Sequence, residues 1–366
     1  MHKNSVVHKF QYLKSIFPGI VLALIFCLFS QGINNVLAIE IFGTVKSPIS
    51  TVLIAILLGI LMGNAFTPRP GMMIGLDFTQ QYILKLGIIF LGIRLSFTDL
   101  IKFGSVAIPL VIFCVLGVLI LIKLLIKKVP ISSKMSYLIA IGTSVCGATA
   151  IVATAPVINA KKTEVAYAIA NITLFGVIAM LIYPYFAEWY FDNNALEAGL
   201  FLGTSIHETS QVAAAGLIYD QQFNNPETLD VATVTKLIRN TFLVILIPLF
   251  AFLYNRGEFK EQKYSILNIF PYFVLGFIGM IIVRNLGDQF FLIEGNNSYV
   301  WSQFIEYLKI LATVFLTMAM AAVGISINLS ELKSMGYKPF VVGLIAAVTV
   351  GIISLIYIET IINFFI

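Results

Sequence analysis

Apolar runs long enough to cross a bilayer recur from one end of the chain to the other. They lie at about 16–34, 49–66, 81–97, 104–126, 135–159, 164–187, 197–219, 233–254, 265–285, 301–326 and 339–366. A helix needs about 20 apolar residues to span the hydrocarbon core, so the pattern predicts an all-α polytopic membrane protein. Two of the runs are interrupted. Gly142 to Pro156 reads GTSVCGATAIVATAP, and Gly203 to Gly216 reads GTSIHETSQVAAAG. Small, hydroxyl-bearing residues stand there where a membrane helix would carry Leu and Ile. Backbone groups freed at such a break are tolerated only where protein or a water-filled cavity supplies partners. Matched breaks in related segments point to a transporter binding site.

Charge placement decides how these two segments thread the membrane. If all eleven runs crossed, Lys161 and Lys162 would face the side opposite the basic loop Lys123 to Lys134. Now let both Gly-Thr-Ser segments enter and leave by one face. The basic stretches at 3–14, 123–134, 161–162, 256–263 and 333–338 then share one side. The acidic connections at 188–197, 220–230 and 288–294 share the other, with Arg94 and Lys102 as exceptions. The positive-inside rule makes the basic side, and with it the N-terminus, cytoplasmic. The expectation is about nine crossing helices plus two opposed re-entrant hairpins, near 135–159 and 197–219. Two broken helices that cross fully are the alternative. Residues 1–80 read as scaffold helices and 81–366 as a repeat-containing core, within a single membrane domain.

The repeat is inverted. GIRLSFTDLIKFG (Gly92 to Gly104) resembles GISINLSELKSMG (Gly324 to Gly336) in register, and AIANIT (Ala168 to Thr173) more weakly matches LIRNTF (Leu237 to Phe242). In the hairpin topology the copies of the first pair fall on opposite sides, and the second repeat runs hairpin-first. Inverted repeats with discontinuous helices characterise secondary transporters.

Composition removes other classes. The chain of 366 residues is 59% hydrophobic and 11% charged, less than half of the roughly 25% charged residues of a soluble domain. Its mean hydropathy is +0.96. A net charge of +5, scattered in short loops, speaks for membrane orientation and against nucleic acid. Cys27, Cys114 and Cys146 are dispersed, implying neither a disulfide frame nor a metal cluster. No Walker-type GxxxxGKS segment occurs, which argues against ATP-driven pumping. Basic residues before the apolar run from Ile16 imitate a signal peptide, but the run reads as a first helix.

The chemistry concentrates at the breaks. His207 and Glu208 form an ionisable pair inside the second one, and such residues in a membrane are functional candidates by default. His207 suits proton exchange; Glu208 suits a proton or a cation. The plainer alternative has Glu208 capping a half-helix and His207 facing water. Thr143, Ser144 and Gly147 in the first break, with Thr204, Ser205, Thr209 and Ser210 in the second, are candidate substrate contacts. If Val145 and Ile206 begin half-helices, their free N–H groups and positive dipole ends would cradle a small oxyanion. Lys236 and Arg239, at i and i+3 on one helix face, would add positive charge, unless they snorkel to the interface. HETSQ lacks the second His of a zinc protease motif, and GTSVCG lacks the spacing of a nucleophile elbow. An enzyme is therefore not expected, nor a cofactor beyond a coupling proton or sodium.

GTSVCGATAIVATAPVI, TLFGVIAMLIYP, GTSIHETSQVAAAG, KLIRNTFLVILIP and NIFPYFVLGF together resemble the YeiH-like family, over nearly the whole chain. These are bacterial inner-membrane proteins described as sulfate exporters. The resemblance implies a carrier with a mobile core against a scaffold. The expected function is alternating-access transport of a small anion, sulfate or a sulfonate foremost, with the lipid bilayer as partner and a homodimer by analogy. A sodium- or proton-coupled carrier of organic anions is the alternative within transport, and a channel or membrane sensor the alternative outside it.

Overall fold

The computed structural model describes residues 2–41, 47, 49–66, 70–125, 132–254, 271–293, 298–328, 330 and 337–362. The basic stretch at 256–263, half of that at 123–134, and residues 329 and 331–336 of the second repeat copy lie outside the described residues. Within them the protein is all-helical. The helices are α1 (His2–Val36), α2 (Thr51–Ala65), α3 (Pro70–Phe78), α4 (Leu84–Leu91), α5 (Phe97–Leu125), α6 (Ser133–Ser144), α7 (Ala148–Thr154) and α8 (Lys162–Phe191). They continue with α9 (Ala195–Ser205), α10 (Thr209–Phe223), α11 (Pro226–Thr241), α12 (Leu243–Tyr254), α13 (Phe273–Asp288), α14 (Ser298–Ser326) and α15 (Tyr337–Tyr357). Eight continuous helical stretches among the described residues are long and apolar enough to cross a membrane, and α2 is a shorter apolar helix of 15 residues. The protein is a polytopic membrane protein.

The chain folds into two compact units. The first comprises Met1–Ser96, Asp220–Asn224 and Gly276–Leu329. Its helices approach closely through glycine, as lipid-embedded helices do where side chains would hold them apart. A Cβ on Gly19 would strike the backbone of Met72 and Gly75, and one on Gly63 the backbone of Ile325. The sequence repeat is a structural repeat here. Gly92 accepts from the Leu95 N–H at 3.2 Å, and Gly324 from the Ile327 N–H at 3.2 Å, so one tight turn ends both α4 and α14. A Cβ on Gly92 would strike the Phe277 carbonyl of α13; one on Gly324 would strike the Ile56 carbonyl of α2. The last turn of α10 belongs to this unit: the Arg94 guanidinium lies 3.8 Å from the Asp220 carboxylate, and the Thr51 N–H donates to Gln221 Oε1 at 3.0 Å.

The second unit comprises Phe97–Tyr219, Asn225–Leu275 and Ser330–Ile366. It holds both Gly-Thr-Ser segments, and each is a hairpin. In the first, α6 and α7 fold back on one another: a Cβ on Gly142 would lie 2.8 Å from Ile151 Cδ1. In one continuous helix, nine residues would put the two about 13 Å apart. The hairpin's mouth is closed where Lys134 Nζ donates to the Asn159 carbonyl at 2.7 Å and the Ser132 hydroxyl donates to Glu164. In the second, Asn225 Nδ2 donates to the Asn193 carbonyl at 3.0 Å, and Tyr219 Oη donates to Glu188 Oε2 at 2.5 Å.

These two mouths sit at opposite ends of α8. That helix has 30 residues and is therefore about 45 Å long, enough to cross a hydrocarbon core of about 30 Å. The first mouth is at its N-terminal end, beside exposed Lys161 and Lys162. The second is at its C-terminal end, beside exposed Asp192 and Asn193. The segments are thus opposed re-entrant hairpins rather than crossing broken helices. Single cysteines replacing Lys161 and Asp192 should accordingly be labelled by an impermeant maleimide from opposite faces of sealed vesicles. Labelling of both from one face would contradict this threading.

Candidate functional site

The tips of the two hairpins meet beside α11, and they do so with the opposite polarity to that expected. Val145 and Ile206 end half-helices instead of beginning them: the Val145 N–H donates to Ile141 and the Ile206 N–H to Leu202, as the last bonds of α6 and α9. Both Gly-Thr-Ser triplets are therefore C-terminal turns, where unpaired carbonyls and the negative dipole end accumulate. The second arms restart at Ala148 and Thr209. Gly147 makes the first restart possible, with φ +69° and ψ −126°, a conformation open essentially to glycine.

Lys236 and Arg239 answer that negative charge. Both are fully buried, which rules out snorkelling to an interface. Lys236 Nζ donates to the carbonyls of Val145 at 2.9 Å, Ile206 at 2.9 Å and His207 at 2.5 Å. Arg239 Nε donates to the Ser144 carbonyl at 2.8 Å, while its Nη1 donates to Thr204 at 2.5 Å and Ile206 at 3.1 Å. One face of α11, read at i and i+3, thus bridges both hairpins. Cations at helix C-termini are favourable, and a guanidinium fork can serve several acceptors at once.

Glu208 makes the reciprocal contact. Its Oε1 accepts from the Ala148 N–H at 3.4 Å, placing a carboxylate from the second hairpin at the N-terminal turn of α7. A Cβ on Gly147 would strike Glu208 Cγ, so the glycine also makes room for the carboxylate stem. Glu208 thus meets a half-helix N-terminus, but across hairpins rather than within its own. His207 is buried rather than facing water, at 1% exposure.

The remaining candidates fall on both sides of the junction. Thr204 Oγ1 donates back to the Leu200 carbonyl at 2.7 Å and shares a hydrogen bond of 2.7 Å with Ser354 Oγ of α15. Thr209 Oγ1 accepts from Asn240 Nδ2 at 2.9 Å, and Ser210 is buried at the start of α10. Seven buried polar atoms here have no hydrogen-bond partner among the described residues: Thr143 Oγ1, Ser144 Oγ, Ser205 Oγ, both ring nitrogens of His207, Arg239 Nη2 and Asn240 Oδ1. Buried groups of this kind are nearly always paired, so these are the atoms open to a further partner. A hydroxyl can donate or accept, a neutral imidazole does one of each, and Arg239 Nη2 only donates. Cys146 is buried at the first tip, as suits a small turn residue.

Three contributors were not singled out in the sequence. Gln211 is fully buried; its Oε1 accepts from the Glu208 N–H at 3.2 Å, and its Nε2 donates to the Thr173 carbonyl at 3.4 Å. Gly176 of α8 leaves it space, since a Cβ there would overlap the Gln211 amide. Asn240 is the third. Its counterpart in the weaker repeat, Asn171, is equally buried, but Lys236 and Arg239 align with Tyr167 and Ala170. The cationic half of the site therefore exists in one repeat alone.

Comparison with known proteins finds relatives that are named membrane proteins. Residues 18–343 match the family described as conserved hypothetical protein 698. A UPF0324 membrane protein of Fusobacterium nucleatum is 34% identical over 322 residues, covering 86% of this chain and 91% of that one. One from Streptococcus agalactiae is 33% identical over 340 residues, covering 92% and 94%. One from Clostridium tetani is 28% identical over 357 residues, covering 94% and 96%. No solved structure matches the chain. With the match running through both hairpins and α11, the chain belongs to the YeiH-like UPF0324 family of membrane proteins.

Proposed function

We propose that this protein is a secondary active transporter of a small anion, with sulfate or a sulfonate as first candidate. It lies in a bacterial inner membrane with its N-terminus cytoplasmic, the lysine-bearing mouth of the first hairpin facing inward by the positive-inside rule. The observation carrying this reading is the junction of two opposed hairpins on a fully buried Lys236–Arg239 pair. Hairpins that meet from opposite ends of α8, with their breaks at the ends of discontinuous helices, suit an alternating-access carrier. Arg239 Nη2, with the hydroxyls of Thr143, Ser144 and Ser205, offers donors that suit a tetrahedral oxyanion. Thr204, Thr209 and Ser210 stand around them, and Gly147 allows the close approach of the two tips.

His207 and Glu208 carry the coupling in this reading. Glu208 ties the two tips together through Ala148, so a change in its charge would alter how they hold one another. Purified protein in proteoliposomes should take up labelled sulfate, with unlabelled sulfonates competing, and an imposed pH gradient should drive the flux. Failure of sulfate and of every sulfonate to move or compete would remove this substrate class.

A further inference from the structure

Five backbone carbonyls, those of Ser144, Val145, Thr204, Ile206 and His207, converge on two side chains of α11. Three of them surround the single nitrogen of Lys236. They come from two chain breaks that approach from opposite ends of α8, and they include half-helix C-terminal ends. Carbonyl oxygens presented in this way form the usual cage for a hard monovalent ion in a discontinuous-helix carrier, because each helix end adds its partial negative charge. Here the cage is filled from within the chain. All three ammonium hydrogens of Lys236 are engaged, and the side chain is fully buried. Glu208, the nearby carboxylate, is directed to Ala148.

We propose that Lys236 is a tethered substitute for a coupling cation: its ammonium fills a carbonyl cage that would otherwise bind an ion of the sodium or potassium class. The two hairpin tips then need no metal ion to neutralise their facing C-termini. On the carrier reading given above, transport runs without sodium, and a proton is left as the ion available for coupling. The alignment of Lys236 with Tyr167 in the other repeat means that a single such cation serves both tips. A mobile ion would leave the junction dependent on ion concentration, whereas a tethered one has fixed occupancy.

The test is the dependence of thermal unfolding on cations, in purified full-length protein at constant ionic strength. Wild type should melt at the same temperature in sodium, potassium and choline chloride. Lys236→Ala should melt several degrees lower in choline. It should recover progressively with added sodium, potassium or propylammonium, since a ligand bound only by the folded state raises stability with its concentration. Lys236→Met, which keeps the stem without the charge, should remain destabilised. Selective stabilisation of wild type by sodium would overturn the proposal, as would a Lys236→Met protein as stable as wild type. A folded Lys236→Ala protein indifferent to every cation would do the same. If both variants fail to fold, the wild-type series decides alone. Sulfate flux compared between sodium and choline supplies a second readout: equal rates are expected, and a sodium requirement overturns the idea. Absence of any flux would count against the carrier reading only, leaving the melting series to judge the cage.

Discussion

Arg239→Leu is expected to lose about 3–5 kcal/mol of stability, the range for removing one partner from a buried charged network. Ser144 on one hairpin and Thr204 on the other would lose their donor, while Ile206 would keep only Lys236. Two of them belong to helix C-termini, so their partial charges would face each other uncompensated. Lys236 cannot take over, because its own three hydrogens are committed. Arg239→Lys should fall between wild type and Arg239→Leu: the charge survives, but an ammonium cannot reproduce the planar fork that joins Ser144 to Thr204. Thermal unfolding followed by fluorescence in detergent, with size-exclusion profiles, measures both. Sulfate uptake should vanish in Arg239→Leu and fall in Arg239→Lys. An Arg239→Leu protein that melts with wild type would show that the hairpin tips are held together by something other than α11.

How much of this junction the sequence discloses depends on what each signal measures. The hairpins are legible because lysines at 161–162 and acids at 188–197 report which end of a helix meets which surface, and charge placement is a property of the linear chain. The repeat around Gly92 and Gly324 is legible for the same reason: one close helix contact and one tight turn impose the same residues twice. The polarity of the breaks is not. Ser and Thr are favoured N-caps, so Gly-Thr-Ser reads as a helix start, yet here α6 and α9 run into it and the restart is made by Gly147 and Glu208. Lys236 and Arg239 at i and i+3 suit both an interface and a buried site, and only the arrival of carbonyls from elsewhere in the chain distinguishes them. Gln211 and Gly176 are complementary across two helices, a relation that no window of sequence contains. The company kept by residues 1–96 and 276–329 in one compact unit is likewise a result of packing, decided by glycines whose partners lie far along the chain.

Glu208→Gln is expected to abolish gradient-driven transport while leaving the protein folded. The substitution keeps an oxygen that can accept from the Ala148 N–H, and it keeps the stem packed against Gly147. The backbone N–H of Glu208, which donates to Gln211, is untouched. What is lost is the ability to exchange a charge at the point where the second hairpin grips the first. A carboxylate at the N-terminal turn of a helix is held by its dipole and by the N–H it accepts. A neutral carboxyl group is held less tightly, so protonation loosens the contact between the tips. Glu208→Gln fixes the neutral condition permanently. Glu208→Ala removes the acceptor as well, exposing the Ala148 N–H, and should cost an additional 1 kcal/mol or so of stability, the usual size of a lost helix cap. The two variants separate coupling from support: both should fail in pH-gradient-driven sulfate uptake, but Glu208→Ala should melt earlier than Glu208→Gln. Equilibrium exchange of sulfate without a gradient should survive in Glu208→Gln if the carboxylate couples and does not bind substrate. Gradient-driven uptake at the wild-type rate in Glu208→Gln would move coupling away from this residue. The buried imidazole of His207, with both nitrogens unpartnered at the same tip, would then be the group to replace next.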